Sequence, residues 1–283
     1  MKIAVVSDST ADMPRATAEA AGIRMVALSV TFGAQTFRVG EDLSTDEFWA
    51  RMTAPDAPFP TTAAPSPGAF QAAFEAAFAA GADAIVCVNI TQTLSATVSS
   101  ARIAAGMMPD REIHVLDTGT VSMGVGLLAL MATELAATGT PAAEVAARLE
   151  SRKGDIDLYV GLDTIAYLRK GGRISGPRAT IGTLLSVKPT ITVREGLVEI
   201  ADKPRTRSRA RERVLELLSA RRLERLAILY SPPADAKAFR DELVARLPGG
   251  LDPAHVSVQP IGPSVGPHIG PGALGAVVLL ARD

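Results

Sequence analysis

Short, wholly apolar runs alternate along this chain with longer segments whose apolar residues recur every three or four positions. In the first half, Lys2–Val6, Met25–Phe32, Ala84–Val88 and Glu112–Leu116 read as strands. Between them the helical period predicts helices over Ser44–Met52, after Ser66, over Ala96–Met108, over Val121–Ala137 and over Pro141–Arg152. The run Ala84–Val88 has no polar alternation, which suits a strand buried on both faces of a parallel sheet. Phe70, Phe74 and Phe78 recur at helical spacing, a stripe that belongs to a core. This β-α-β-α-β-α order predicts a doubly wound, mostly parallel α/β sheet.

The pattern changes after Gly154-Asp155, where a boundary between residues 1–154 and 155–283 is expected. Beyond it come a strand at Leu158–Leu162 and a short helix at Thr164–Lys170 closed by Gly171-Gly172. A helix around Ala179–Ser186 follows, then a hairpin through Glu195-Gly196. Helices at Arg207–Ala220 and Ala234–Leu247 and strands at Arg225–Tyr230, His255–Ile261 and Ala273–Leu280 complete the second half. It therefore reads as an α+β domain with a mixed sheet, and a ligand is expected between or within the two units.

Composition narrows the function. At 47% hydrophobic and 21% charged residues, the 283-residue chain is a folded globular protein with a sizeable core. A formal net charge of -1 points to neither nucleic acid nor an anionic membrane. The basic run Lys203–Arg213 contains no aromatic residue, which favours a solvated helix face or a protein-docking patch. Cys87 is the single cysteine and lies in an apolar run, as a small buried hydrophobe would. No signal peptide or bilayer-length apolar stretch stands out, so a cytoplasmic location with at most transient membrane contact is expected.

Two familiar motifs fail their structural context. Gly262-Pro-Ser-Val-Gly266 fits a nucleophile elbow, but Pro267 and Pro271 argue against the helix that should follow. Gly124-Val-Gly-Leu-Leu-Ala129 fits a dinucleotide fingerprint, but it lies inside a helical pattern. The three histidines show no metal-ligand spacing.

Other features carry more. Ser95 stands between the end of a buried strand and a helix start, where open α/β sheets bind ligands and where helix N–H groups favour an anion; a plain helix cap is the alternative. Lys170-Gly-Gly-Arg-Ile-Ser175 sets two cations around a diglycine, so that backbone at Gly172 can approach a ligand and Arg173 can fork onto a carboxylate or phosphate. A basic helix C-terminus explains the same residues equally well. His268 sits among glycines and prolines, where it could donate to an anion, and Thr61-Thr62 adds a hydroxyl pair in a proline-rich loop.

In this order, these pieces resemble the DegV family of bacterial fatty-acid-binding proteins over nearly the whole chain. The similarity includes Ser7-Asp-Ser-Thr-Ala-Asp12, Thr62…Pro65-Ser-Pro-Gly68, Leu94-Ser-Ala-Thr97 and Ser122-Met-Gly-Val-Gly126. It continues through Tyr167-Leu-Arg-Lys-Gly-Gly-Arg-Ile-Ser175, Val187-Lys-Pro189, Arg205 and His268-Ile-Gly-Pro-Gly-Ala273. The resemblance implies a long-chain fatty acid held inside the protein, with Thr62, Ser95 and His268 on its carboxylate. It also implies no cofactor and no catalysis by the chain alone. A separate ATP-dependent fatty acid kinase would make the acyl-phosphate, with Arg173 and Arg205 facing the phosphate or the kinase, and an acyltransferase would use the product downstream. Thr61 and Gly172 are expected beside the ligand loop. Where the family usually has Thr-Ser-Gln-Pro-Ser and Leu-Ser-Gly-Thr, this chain has Thr62-Ala-Ala-Pro-Ser66 and Leu94-Ser-Ala-Thr97.

Physical chemistry is consistent with such a ligand. Burying the ~14 methylenes of a sixteen-carbon chain at roughly 0.8 kcal/mol each is worth about 11 kcal/mol before binding costs. Two other classes remain open at this stage. One is a serine esterase using Ser264 or Ser95 with His268; the other is a sugar-phosphate or nucleotide enzyme using Asp8 and Lys170, which requires a polar pocket.

Overall fold

The computed structural model describes residues 1–174 and 186–282; the helix expected around 179–186 and Ser175 of the diglycine motif lie outside the described residues, save Ser186. The chain opens with β1 (Ile3–Asp8), α1 (Arg15–Ala20), β2 (Ile23–Val26), β3 (Ser29–Phe32), β4 (Gln35–Arg38), α2 (Thr45–Met52) and β5 (Thr61–Ala63). It continues through α3 (Pro67–Ala79), β6 (Ala84–Asn89), α4 (Thr97–Gly106), β7 (Glu112–Asp117), α5 (Met123–Ala137) and α6 (Ala142–Arg152). Then come β8 (Ile156–Gly161), α7 (Ala166–Lys170), β9 (Thr190–Arg194), β10 (Leu197–Asp202), α8 (Arg207–Ser219) and β11 (Leu223–Tyr230). α9 (Ala236–Arg246), β12 (Val256–Pro260), α10 (Gly266–Ile269) and β13 (Leu274–Leu280) close the chain.

Among the described residues the strands form three sheets. The first is parallel, in the order β2-β1-β6-β7, and β6 is buried along its whole length as its unbroken apolar run requires. α3 covers one face of it through Phe70 and Phe74, and α3 is capped by the Ser66 hydroxyl. The second sheet is mixed, in the order β10-β9-β8-β13-β11-β12, with only β11 and β12 parallel. β9 and β10 are the expected hairpin, turning through Glu195 and Gly196 at φ 49° and 79°; both lie in the left-handed region, as tight hairpin turns need.

The third sheet, β4-β3-β5, departs from the expected pattern. The run 25–32 is split into β2 and β3, and the proline-rich loop contains β5, which pairs with β3. These strands are three or four residues long, too short for a period of two to declare itself.

The mixed sheet is apolar on both faces. Tyr159, Leu226, Ile228, Ala276 and Val278 pack with Val214, Leu215 and Phe239 of α8 and α9. The alternate residues on the same strands, among them Leu158, Val160 and Leu229, belong to a core that also takes in Val86 and Val88 of the parallel sheet and Leu128 of α5. The largest hydrophobic cluster is therefore continuous between the two main sheets.

Candidate functional site

In the parallel sheet the strand order reverses between β1 and β6, and ligands of open α/β sheets bind beyond the carboxyl ends of such strands. A cavity of about 180 Å³ lies in that position, bordered by Thr10 after β1 and by Ile90, Leu94 and Ser95 after β6. Its opposite wall is the inner face of the mixed sheet: Leu158, Val160, Ile191, Val193, Val198 and Leu229.

Polar side chains enter this apolar space at defined places. Thr62 comes from β5, and strand alternation turns it toward the cavity while Thr61 stays exposed. Its hydroxyl lies 3.1 Å from Nε2 of His268. His268 is on α10, a short helix that does follow Gly262-Pro-Ser-Val-Gly266. The expectation that Pro267 would prevent one fails because proline is well accommodated in the first turn, where its missing N–H is not needed.

Ser95 sits one residue before the N-terminal cap of α4, which is Ala96; its hydroxyl meets Thr97 Oγ1 at 2.8 Å and accepts from the Thr97 amide at 3.3 Å. Arg173 borders the same cavity, donating from Nε to Leu94 O at 3.3 Å and from its terminal nitrogen to Gly171 O at 2.7 Å. Thr62, Ser95, Arg173 and His268 thus share one cavity. Arg205 and Gly172 are exposed and do not border it.

The glycines of the two signature stretches have steric roles. A Cβ on Gly171 would run into Nδ1 of His268, and one on Gly270 would run into the ring of Tyr167. The imidazole is therefore seated directly on the diglycine turn. Phe59 stacks on Tyr167 with ring centroids 6.2 Å apart and Lys170 lies 4.2 Å over Phe59, joining the segment before β5 to α7.

Burial, and then the nearby positive Arg173, pushes the His268 pKa down to about 4, so the ring is neutral at neutral pH. Nδ1 is buried without a hydrogen-bond partner among the described residues. With the Arg173 charge nearby, an unpaired acceptor costs less there than an unpaired donor, which favours the proton on Nε2. Nε2–H then donates to Thr62 Oγ1, and the Thr62 hydroxyl keeps its own proton for a third group.

The β9–β10 turn holds the Ser95 loop. Thr93 Oγ1 donates to Gly196 O, and a side chain on Gly196 would collide with Thr91 and Thr93.

A polar network that sequence reasoning did not assemble lies behind the cavity. Asp8, fully buried, accepts from the Thr10 amide at 2.9 Å, from the Thr10 hydroxyl and from the Ile90 amide at 3.1 Å. Asp12 accepts from the Ser122 hydroxyl at 2.5 Å and the Gly262 amide at 2.9 Å. Burial raises both carboxyls, Asp12 to about 7. The clue in the sequence was a polar run, Ser7–Asp12, directly after a buried strand.

The enzyme readings do not match this geometry. Ser264 Oγ is paired with Ser9 Oγ at 2.9 Å and Ser95 with Thr97, while His268 meets Thr62; neither serine is bonded to the histidine. Asp8 is sealed behind Thr10 and Lys170 lies on Phe59, so they do not form a polar pocket together. In the basic run, Arg207, Arg211 and Arg213 are paired with Asp163, Glu242 and Asp202.

Fold and site together define a mixed α/β protein with an internal apolar cavity and a small cluster of hydroxyl, imidazole and guanidinium groups on it. A family model described as "Uncharacterised protein, DegV family" matches residues 2–281, and the chain belongs to the DegV family. A DegV family protein from Thermus thermophilus, solved in a study of its fatty acid binding, is 36% identical with a TM-score of 0.90, over 99% of this chain and 100% of that one. DegV of Bacillus subtilis, described as a fatty acid binding protein, is 30% identical with a TM-score of 0.88, again over 99% and 100%. A DegV domain-containing protein of Streptomyces coelicolor is 35% identical over 280 residues, 98% of each chain. No helix among the described residues is long and apolar enough to cross a membrane.

Proposed function

We propose that this protein binds a long-chain fatty acid and presents its carboxylate to a separate ATP-dependent kinase. The observation that carries the reading is one cavity with an aliphatic sheet face on one side and Thr62, Ser95 and His268 at its polar part. The DegV relatives described as binding fatty acids support it at 30–36% identity over nearly the full chain.

In this reading the acyl chain lies against Leu158, Val160, Ile191 and Leu229, and the carboxylate accepts from the hydroxyls of Thr62 and Ser95. Neutral donors suit this role, because a fixed cation deep in the wall would be costly when the cavity is empty. Arg173 supplies charge near the rim. The carboxylate keeps an oxygen free to attack a γ-phosphoryl group brought by the partner, where Arg173 and the exposed Arg205 would face developing phosphate charge or the kinase surface. The acyl-phosphate would then pass to an acyltransferase, and loading would need only transient membrane contact in the cytoplasm. Residues 1–154 and 155–283 would act as the two units that enclose the ligand.

Native mass spectrometry of the purified protein, followed by titration with palmitate and oleate, tests the reading. One fatty acid per chain, or saturable binding of either, is expected; an empty protein that refuses both overturns it. Adding a fatty acid kinase and ATP tests the second half: acyl-phosphate should form with the wild type and fall sharply with Arg205→Ala, while palmitate still binds.

A further inference from the structure

The cavity has a second polar region that the carboxylate cluster does not use. Thr10, Ser122 and Ser264 border the same space, and each is at least nine-tenths buried. No hydrogen bond joins them to Thr62, Ser95 or His268 among the described residues.

Two of these three hydroxyls have their protons already committed. Thr10 gives its proton to Asp8, and above the raised Asp12 pKa of about 7 the ionised Asp12 takes the proton of Ser122 over 2.5 Å. Ser264 shares a 2.9 Å hydrogen bond with Ser9, whose oxygen also accepts from the Leu28 amide. Thr10 and Ser122 therefore present oxygen lone pairs without protons to spare. A plain hydrocarbon chain leaves those lone pairs facing methylenes, whereas a ligand hydroxyl would donate to them.

The backbone adds an independent sign. Asp12 and Ser122 both have positive φ, 48° and 58°, and Ser122 has ψ −142°, a sparsely populated conformation for a residue with a side chain. These two residues hold the Ser122 side chain against Asp12 at the border of the cavity, although an alanine there would avoid burying another polar group.

We infer that the cavity selects acyl chains carrying a hydroxyl group away from the carboxylate, the hydroxyl donating to Ser122 or Thr10. The inference rests on the fatty-acid reading above and names its substrate class more narrowly. It also predicts a chemical order. A hydroxylated chain can donate, an oxo chain can only accept, and an unsubstituted chain does neither; only the first matches a wall of committed hydroxyls.

The test is competitive displacement, above pH 7 where Asp12 is ionised, of a fluorescent fatty acid by stearate, by a series of hydroxystearates with the hydroxyl at successive carbons, and by the matching oxostearates. At one or more positions the hydroxystearate should bind roughly three- to tenfold tighter than stearate, the worth of one net hydrogen bond. The oxostearate at that position should bind no tighter than stearate. The hydroxy-to-stearate ratio should fall to about one in Ser122→Ala or, at the chain position that meets Thr10, in Thr10→Val, and a ratio unchanged at every position in the variants that fold overturns the inference. Stearate binding with no hydroxyl preference at any position overturns the inference and leaves the fatty-acid reading intact. An oxo acid as tight as the hydroxy acid overturns it too. Failure of all three ligand classes on folded protein removes the fatty-acid reading itself.

Discussion

The two main sheets build the same cavity in opposite ways. The parallel sheet contributes its ends: the loops after β1 and β6 deliver Thr10 and Ser95, and neither strand's side chains need reach far. The mixed sheet contributes a face, with Leu158 and Val160 of β8 and Ile191 and Val193 of β9 set against the cavity. Ends of strands carry unpaired backbone and polar loops, whereas faces carry whatever the two-residue period puts there. One sheet therefore supplies polar loop residues and the other an aliphatic wall, without either being specialised in fold.

The sharpest test of that division lies on a single strand. Ile228 faces α8 and α9, and its neighbour Leu229 faces the cavity. Ile228→Ala should cost about 2–5 kcal/mol in urea denaturation, because it opens a hole in packed core. Leu229→Ala should cost clearly less stability, since it only widens an existing space, but should weaken fatty acid binding. Equal losses of stability would break the comparison.

Next in size is the head-group end. Thr62→Val, which removes a hydrogen bond to a charged group, should weaken fatty acid binding by about ten- to a hundredfold in displacement titrations. His268→Ala, which frees the Thr62 hydroxyl to turn away, should weaken it by less. Their circular dichroism should match the wild type. Gly196→Val tests how the mixed sheet positions the Ser95 loop, since its side chain collides with Thr91 and Thr93 at a residue with φ 79°. A loss of about 1–3 kcal/mol with weaker binding is expected, and an unchanged affinity would mean that the turn does not place Ser95.

The smallest effect is a pair of opposed pH slopes. His268 titrates at about 4 when folded against 6.5 ordinarily, so the unfolded chain binds more protons between those values and stability falls as pH drops through them. Asp12 is raised from 3.8 to about 7, so the folded chain holds the extra proton and stability falls as pH rises through that window. Asp8 pulls in the same direction as Asp12. Relative to wild type, His268→Asn should lose stability more steeply as pH rises from about 4 to 7, and Asp12→Asn more steeply as it falls. Parallel curves for the two variants would contradict both assignments.

Much of this was legible in the sequence because the relevant signals are local. An unbroken apolar run marked β6, Glu195-Gly196 marked a hairpin turn, and Ser66 marked a helix start. Thr62, Ser95, Arg173 and His268 were candidates for chemical reasons, and folding brings them to one cavity. What stayed hidden depends on partners distant in sequence. β5 exists as a strand through pairing with β3, Asp12 is explained only by Ser122 and Gly262, and Gly171 only by the ring of His268. Thr61 and Thr62 were alike as a pair until strand alternation separated them.

The cavity is also a gap in the protein's largest core, since Val160, Ile191, Val198 and Leu229 border it and belong to that cluster. A filled cavity recovers dispersion contacts that the empty protein lacks, so its occupant behaves as a missing piece of core. A ligand present at a hundred times its dissociation constant adds about 2.7 kcal/mol to stability. Proteases act on the fraction of molecules that open, and that fraction falls steeply over such an interval. The steady-state level of the protein in a cell would then rise and fall with the supply of whatever fills the cavity, a form of control that needs no second binding site.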